Sequence, residues 1–258
     1  MVSEISIANF RSIEYQKFSL ARVNVFVGDS DSGKTNILEA VGMAAAAHDD
    51  ALDTDSLRKR GIRVTEPSLM FHASVGQEQR KEIVIVWREK LSVRKAILVL
   101  ENSTEDAWKD ISWYEPAYVD MVNNLIKCIG NGSIKDLYPY SDPMKNTVLN
   151  NAFRGSRYFR GYRIYHALTE HQLHQLLISR STPAFFAIDR IENSLKPECC
   201  NNTMNIITSL AAKHRKQILI STSRPDMIQK MNLNDPEQKF FHVKRTEDEQ
   251  TIVEEMKN

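Results

Sequence analysis

The chain has 258 residues, which suits a single domain, and its formal net charge of +1 means that attraction to nucleic acid would need a local basic patch. The three cysteines, Cys128, Cys199 and Cys200, lack paired spacing, which argues against a disulfide framework or a zinc site. The chain opens without a basic and apolar leader and has no run of about 18 apolar residues, so we expect a cytoplasmic protein with no signal peptide and no membrane span.

The first part of the chain predicts a strand, a loop and a helix in that order. Residues 3–8 alternate polar and apolar side chains, which is the pattern of a half-buried strand. A second strand over 22–27 leads directly into Gly28, and apolar residues at helical spacing predict a helix over 35–47. Residues 48–62 are polar and predict a loop. Further strands are expected over 67–75, 82–88 and 93–100.

Beyond residue 100 the pattern predicts helices that alternate with strands. The helices are expected over 116–128, 161–180 and 198–213. The strands are expected over 184–188, 217–222, 239–245 and 251–255. This order is typical of an α/β protein with a buried sheet.

Residues 28–35 fit the pattern G-x-x-x-x-G-K-[ST] between a strand and a helix. In such a loop, backbone N–H groups converge on phosphates, Lys34 would reach the β- and γ-phosphates, and the Thr35 hydroxyl would bind magnesium. A chance match is the alternative, and the flanking elements disfavour it. We therefore predict a site for ATP and Mg²⁺. Its contact residues would be Gly28, Asp31, Ser32, Gly33, Lys34, Thr35 and Asn36.

The apolar strand over 184–188 runs into a carboxylate at Asp189. An acidic residue at the end of a buried strand is what the second magnesium-binding motif of such proteins requires, so Asp189 would hold Mg²⁺ directly or through water. Alone this is a weak signal, because many core strands end in aspartate. Its position about 150 residues after the loop makes the assignment credible.

Together these segments resemble the RecF/OLD/SMC branch of the ABC-type ATPases. Residues 7–12, Ile-Ala-Asn-Phe-Arg-Ser, match the opening I-x-N-F-R-S of that branch, and residues 31–40 match its N-G-S-G-K-S/T-N-L-L-E-A segment. Residues 188–197 are similar to I-D-E-I-E-N-G-L-H-P, and residues 217–225 are similar to Q-v-i-i-S-T-H-S-P. For residues 48–150 the resemblance to this branch rests on general architecture and not on a sequence motif.

The resemblance implies a P-loop NTPase of the α/β class, an ABC-ATPase head with a mixed sheet around the Walker A loop and a smaller helical lobe. The whole chain, 1–258, would form one head, with its nucleotide-binding core at 1–100 and 161–258 and the lobe at 101–160. Two such heads would sandwich ATP in a homodimer or hetero-oligomer. Arg11 would lie near the phosphates; the alternative is that it is a surface residue after a strand.

Three positions depart from the pattern of the branch. Arg190 stands where the branch has a water-activating glutamate, and a guanidinium stays protonated and cannot act as a base. Ser223 stands where it has a switch histidine, and Phe159 aligns with the serine of its Ser-x-Gly signature. We therefore predict ATP binding with slow or absent hydrolysis. Glu192 could replace the base, but we expect it beyond the active centre, with a role in helix-start or interface polarity.

The resemblance also implies a biological role, because bare heads of this branch usually act through other subunits and resemble components of anti-phage defence and toxin–antitoxin-like systems. We expect a subunit that assembles around ATP and Mg²⁺ and controls a separate effector. One alternative is an active DNA-repair or recombination ATPase of the RecF type that binds DNA. Another is a hetero-oligomer in which a second chain supplies the catalytic residues.

Residues 154–166 interleave arginines with aromatic residues and a histidine. This composition could stack bases and hold phosphates, or it could form a protein interface. The simplest interpretation is a solvated helix start with a buried aromatic side. Contact with nucleic acid therefore stays a possibility at this stage.

Overall fold

The structure is a computed structural model that describes residues 1–73, 82–89, 92–100, 108–110, 159–194, 200–228 and 235–256. Its helices are α1 (Lys34–His48), α2 (Thr54–Lys59), α3 (Glu170–Ile178) and α4 (Cys200–Lys213). Its strands are β1 (Val2–Phe10), β2 (Ile13–Ser19), β3 (Val23–Val27), β4 (Ile83–Glu89), β5 (Ser92–Leu100), β6 (Trp108–Asp110), β7 (Ile164–His166), β8 (Phe185–Asp189), β9 (Gln217–Thr222), β10 (Gln238–Arg245) and β11 (Thr251–Glu255). The α/β class is confirmed.

A six-stranded sheet carries the predicted phosphate loop and has the order β11-β10-β3-β9-β8-β7. Neighbouring strands from β10 to β7 pair in parallel, and β11 pairs antiparallel with β10. Strands β3, β8 and β9 are buried along their whole length, as expected for parallel strands that are covered on both faces. Their carboxyl ends meet at one edge of the sheet, where ligands bind in such folds.

A second, antiparallel sheet has the order β2-β1-β4-β5-β6. Apolar side chains of β1, such as Ile5 and Ile7, alternate with less buried ones and join the larger core cluster. Helix α1 belongs to the same cluster, together with Phe26 and Phe185 from the other sheet. Its run Ala44–Ala45–Ala46–Ala47 is buried, which fits a helix that is apolar around most of its surface. Helix α1 therefore packs between the two sheets.

The other face of the six-stranded sheet has its own core. Val23, Val25 and Val27 of β3 point to this face, while Phe26 points to α1, because side chains alternate along a strand. Helices α3 and α4 cover this face with residues such as Leu173 and Ile207. Both faces of β8 and β9 are thus packed against a core, which gives the site at their carboxyl ends a rigid base.

Several predicted elements need correction. The predicted loop over 48–62 contains α2, whose first turn is capped by Asp53 accepting from the backbone N–H of Ser56. The first part of the strand predicted over 67–75 is instead a short 3₁₀ turn at Pro67–Met70, and residues 74 and 75 lie outside the described residues. The helix predicted over 161–180 begins only at Glu170, after β7, because Thr169 and Gln172 form a capping box there. Strand β2 was not predicted.

The other predicted strands are confirmed, as are the helices over 35–47 and 198–213 within the described residues. The helix predicted over 116–128 lies outside the described residues, as does most of the lobe predicted at 101–160, so that division of the chain stays a prediction. Within the described part of the chain, no helix is long and apolar enough to cross a membrane.

Candidate functional site

The loop between β3 and α1 needs glycine at two positions. A Cβ atom on Gly28 would lie 1.9 Å from the backbone oxygen of Val243. Gly33 has a φ of +99°, and a Cβ atom there would lie 1.8 Å from Oγ1 of Thr251. Strands β10 and β11 therefore close against the loop so tightly that only glycine fits.

Lys34 is buried at the start of α1 and points back into the loop. Its ammonium group donates to the backbone oxygens of Gly28, at 2.8 Å, and Asp29, at 2.6 Å, and to Oγ of Ser32, at 3.2 Å. Burial lowers the pKa of Lys34, and the negative charges of Glu192 and Asp189 oppose that shift. The loop thus forms a small cradle around one cation.

The next residue in α1 contacts the aspartate at the end of β8. The Thr35 hydroxyl lies 3.0 Å from each carboxylate oxygen of Asp189. Ser221 of β9 also donates to this carboxylate, and Nδ1 of His166 lies 3.5 Å from it. Burial alone would raise the pKa of Asp189, but hydrogen bonds from His166, Ser221 and Thr35 outweigh it and lower the pKa. The carboxylate is therefore ionised.

A hydrogen-bonded chain ties the loop to the antiparallel elements. Asn36 Nδ2 donates to Ser12 Oγ at 2.6 Å, and that hydroxyl lies 2.6 Å from Oγ1 of Thr251. Thr251 in turn donates to the backbone oxygen of Ser32 at 3.1 Å. The Asn36 side chain is thus occupied in holding the loop. Neither Thr251 nor this role of Ser12 was predicted, because the contacts span the whole chain.

Arg11 lies beside α1 and contacts Glu39 of that helix. Its Nε is 3.2 Å from the fully buried carboxylate of Glu39, and it also donates to the backbone oxygen of Arg63. Burial lowers the pKa of Arg11, an effect that Glu39 opposes and that Arg63 reinforces. Arg63 itself donates to Glu39, at 2.7 Å, and to Asn36, at 2.9 Å. Arg11 and Arg63 thus share one carboxylate beside the loop, and sequence reasoning missed Arg63.

The comparisons with known proteins agree with this geometry. The sequence matches the family described as "AAA ATPase domain" over residues 1–148. The chain belongs to this family of ATPases. No curated protein matches the sequence.

Solved structures give the fold of this ATPase domain. It is similar to the SMC head domain from Thermotoga maritima, with a TM-score of 0.52 and 10% identity over 100% of this chain and 99% of that chain. It is also similar to an Smc head domain from Pyrococcus furiosus, solved bound to the C-terminal domain of ScpA, with a TM-score of 0.53 and 10% identity over 99% of this chain and 96% of that one. The predicted ABC-type ATPase head is therefore confirmed as the fold. A RecF structure with ATP also matches, with a TM-score of 0.47 and 14% identity over 99% of both chains.

Nucleotide binding follows from membership of the family, and the donor set of the site fits magnesium. Thr35 and Asp189 offer a hydroxyl and a carboxylate, which are the hard oxygen ligands that Mg²⁺ prefers. No group of three or more His, Cys, Asp or Glu side chains that could hold a metal ion occurs in the described part of the chain. Mg²⁺ usually binds one or two side chains together with phosphate oxygens and water, which is compatible with this pair of residues.

Two of the three positions that depart from the pattern of the branch, Arg190 and Ser223, lie near this aspartate. Arg190 has a φ of 53° and donates its backbone N–H to Ser221 Oγ at 2.8 Å, while its side chain is exposed. Ser223 donates from its backbone N–H, at 3.0 Å, and its hydroxyl, at 2.7 Å, to Oε1 of Glu192. The two substituted positions therefore lie on the ends of neighbouring strands, with Glu192 between them.

The charge of Glu192 acts on Lys34 in the loop, although we expected Glu192 to lie beyond the active centre. Burial would raise its pKa, but the hydrogen bonds from Ser223 contribute to lowering it, so the side chain is ionised. Its charge opposes the burial effect on Lys34 more strongly than that of Asp189 does. Its Oε2 atom is buried and has no hydrogen-bond partner among the described residues.

Two other predicted features lie away from the loop. Phe159 is fully buried and stacks on Trp87 at a ring distance of 4.6 Å, so it offers no side chain to a facing head. Tyr162 is also buried and donates to the backbone oxygen of Leu38 at 3.2 Å, whereas Arg160 and Arg163 are exposed. The described part of the 154–166 stretch thus has a buried aromatic side and a solvated arginine side, although it forms a turn and a strand rather than a helix start.

Asp31 is exposed, with a φ of 64°, and its backbone oxygen accepts from Arg245 at 3.3 Å. Its side chain extends from the tip of the loop into solvent. Asp31 therefore shapes the loop through its backbone.

Proposed function

We propose that this ATPase head binds ATP with Mg²⁺, hydrolyses it slowly or not at all, and assembles around the nucleotide with a second head to control a separate effector protein. The observation that carries the proposal is the contact between Thr35 and Asp189. The residue that follows Asp189 in the sequence is Arg190, at the position where hydrolysis would need a base to activate water.

Binding would use the loop and the two strand ends. Gly33 would present its backbone N–H group, and the backbone N–H groups of Ser32 and Gly28 would turn from the backbone oxygens of Asp29 and Thr222. Lys34 would turn from its carbonyl partners toward the β- and γ-phosphates. Thr35 and Asp189 would hold Mg²⁺ between them. The exchange is favourable because phosphate oxygens carry more negative charge than the carbonyl groups that Lys34 contacts.

Slow hydrolysis would follow from Arg190. A general base typically contributes about 10²–10⁴-fold to such a step, and a guanidinium cannot take a proton near neutral pH. The charge of Arg190 acts on Lys34, so it lies within electrostatic reach of the phosphate region. There it would stabilise the bound triphosphate rather than activate water.

A second candidate is an ATPase that turns over ATP through Glu192, which would suit a DNA-repair or recombination role. The unpartnered, buried and ionised oxygen of Glu192 favours it. A small rotation away from Ser223 would free both carboxylate oxygens. This candidate requires Glu192 to reach a water molecule at the γ-phosphate.

Steady-state hydrolysis rates of four proteins distinguish these candidates: the wild type, Lys34→Ala, Arg190→Glu and Glu192→Gln. Under the first proposal the wild-type rate lies close to that of Lys34→Ala, Glu192→Gln changes nothing, and Arg190→Glu raises turnover by about tenfold or more. Brisk wild-type turnover that Glu192→Gln abolishes would reject the first proposal and support the second.

Assembly with other chains is proposed from the family fold. The Pyrococcus furiosus Smc head was solved with a ScpA domain bound, which illustrates that a head of this fold can take a protein partner. Light scattering of the chain with and without Mg-ATP, alone and with the products of neighbouring genes, tests the assembly. The role in antiviral defence rests on the resemblance of the motifs, and a phage challenge with Lys34→Ala as the inactive control tests it.

A further inference from the structure

A groove lies at the opposite edge of the six-stranded sheet from the phosphate loop. It has a volume of about 830 Å³, and it is bordered by the residues that precede β8 and β9 and by the ends of α3 and α4. Because β8 and β9 run in parallel from the groove to the phosphate loop, the whole length of these strands separates the two features. The groove is therefore independent of the nucleotide site.

The groove is strongly basic. Its exposed cations are Arg160, Arg180, Lys213 and Arg215. Within the described ranges none of these four side chains has an ion pair or hydrogen bond, and no acidic residue lines the groove. A fifth cation, Lys216, is buried and donates to the backbone oxygens of Thr182, at 2.9 Å, and Pro183, at 3.2 Å. Lys216 thus has a structural role, whereas the other four charges face solvent.

The helix ends at the groove are negative and offset only part of its positive charge. Helices α3 and α4 both end at the groove, and a helix carboxyl end carries roughly half a negative charge. Two such ends offset about one of the four positive charges. Because the whole chain has a net charge of only +1, the surplus is specific to the groove and is not a general property of the surface.

We propose that this groove binds an acidic segment of a partner protein. A polynucleotide fits it less well, because nucleic-acid-binding domains usually have a pI above about 9, and this chain has a pI of about 7.7. No Phe, Tyr or Trp side chain lines the groove in the described part of the chain, which leaves the half-buried ring of His214 as its one surface for stacking a base. Ile178 and Pro183 line it instead and can contact the methylene groups of glutamate side chains.

This inference goes beyond the proposed function, because the binding it describes requires neither nucleotide nor a second head. Its test uses the full chain without ATP, a fluorescently labelled oligoglutamate peptide, and fluorescence anisotropy. The groove variant is Arg180→Glu with Lys213→Glu. The matched control, Lys17→Glu with Lys244→Glu, makes the same change of charge on β2 and β10, where each lysine forms an exposed ion pair with a glutamate.

We expect the wild type and the control variant to bind the peptide with affinities within about twofold of each other, and the groove variant to bind about tenfold or more weakly. A second groove variant, Arg180→Gln with Lys213→Gln, removes the two charges without reversing them and should also bind the peptide more weakly than the control, with a smaller loss of affinity. It replaces the first groove variant if that protein does not fold. Equal loss in the control variant, or no binding by the wild type, would overturn the proposal. Tighter, groove-dependent binding of labelled oligothymidylate or duplex DNA would also overturn it and assign the groove to nucleic acid.

Discussion

The Thr35 hydroxyl and the Asp189 carboxylate lie 3.0 Å apart, although they are separated by 154 residues of sequence. Thr35 lies in the first turn of α1, and Asp189 ends the buried strand β8. Ser221 holds the same carboxylate from the neighbouring strand. The two oxygen donors are thus positioned before any ligand arrives, which lowers the free-energy cost of ordering a metal site.

Asp189→Asn should remove the dependence of ATP affinity on magnesium. An amide is a weaker magnesium ligand than a carboxylate, so the variant should bind Mg-ATP and metal-free ATP with similar affinities, whereas the wild type should bind Mg-ATP about tenfold or more tightly. Titration calorimetry measures the affinity for Mg-ATP when Mg²⁺ is present and the affinity for metal-free ATP when EDTA is present. Asp226→Asn is the control, since Asp226 forms an exposed ion pair with Arg224. A wild-type dependence that persists in Asp189→Asn would rule out the proposed ligand.

Gly33→Ala should destabilise the loop through a clash as well as through its backbone conformation. The positive φ alone costs about 1 kcal/mol for alanine, and the contact with Thr251 adds to that. Gly161→Ala is a matched control, because Gly161 has a φ of +69° but a Cβ atom there would lie 3.9 Å from its nearest neighbour, Cγ of Pro183. Urea unfolding should give a larger loss for Gly33→Ala than for Gly161→Ala. Thr251→Ala should recover part of that difference, and no recovery would show that the clash is not the cause.

Glu39→Ala should cost far more stability than Glu4→Ala. Glu39 is fully buried between Arg11 and Arg63, and removal of such a partner leaves buried charge uncompensated, at a cost of about 3 kcal/mol. Glu4 also contacts two cations, Lys17 and Arg88, but all of these side chains are substantially exposed. Its loss should cost less than about 1 kcal/mol. Similar free energies of unfolding for the two variants would contradict the assignment of Glu39 as the central anion of this cluster.

Asp49 should make the stability of the protein depend on pH in acid. Burial would raise its pKa, but hydrogen bonds from His48, Gly161 and Arg60 lower it to about 2 from an ordinary value of 3.8. The unfolded chain therefore binds this proton first, and the stabilisation of up to about 2 kcal/mol is complete above pH 4 and is lost as pH falls through 2. Asp49→Asn should flatten that part of the curve of unfolding free energy against pH, and an unchanged slope would exclude Asp49 as its source.

Local sequence signals predicted much of the fold and the loop. The strand over 22–27, the glycine pattern and the helix over 35–47 reinforce one another, since each constrains the backbone of the next. Strand β2 was missed because only Ile13 and Phe18 of its side chains are buried, which leaves a weak alternation. Helix α2 was missed because its six residues contain one buried apolar side chain, Leu57.

The parts of the site that sequence could not supply come from distant segments. Thr251 contacts Ser12 and the loop across more than 200 residues, and Arg63 reaches Glu39 and Asn36 from a segment with no recognisable motif. Glu192 stands three residues after Asp189 in the sequence, a spacing that predicts a position beyond the active centre. The left-handed conformation of Arg190 and the 3₁₀ turn at Ile191–Asn193 instead bring it beside Ser223. A count along the chain cannot anticipate such a turn.

The central claim is that this head holds ATP without cutting it quickly, and the identity of the retained nucleotide tests that claim most directly. The purified chain is stripped of nucleotide, incubated with Mg²⁺ and labelled ATP, passed through a desalting column, and denatured so that the released nucleotide can be identified. We predict that wild-type protein retains intact ATP, whereas Lys34→Ala retains none. Retention mainly of ADP by the wild type, or of no nucleotide at all, would contradict the account.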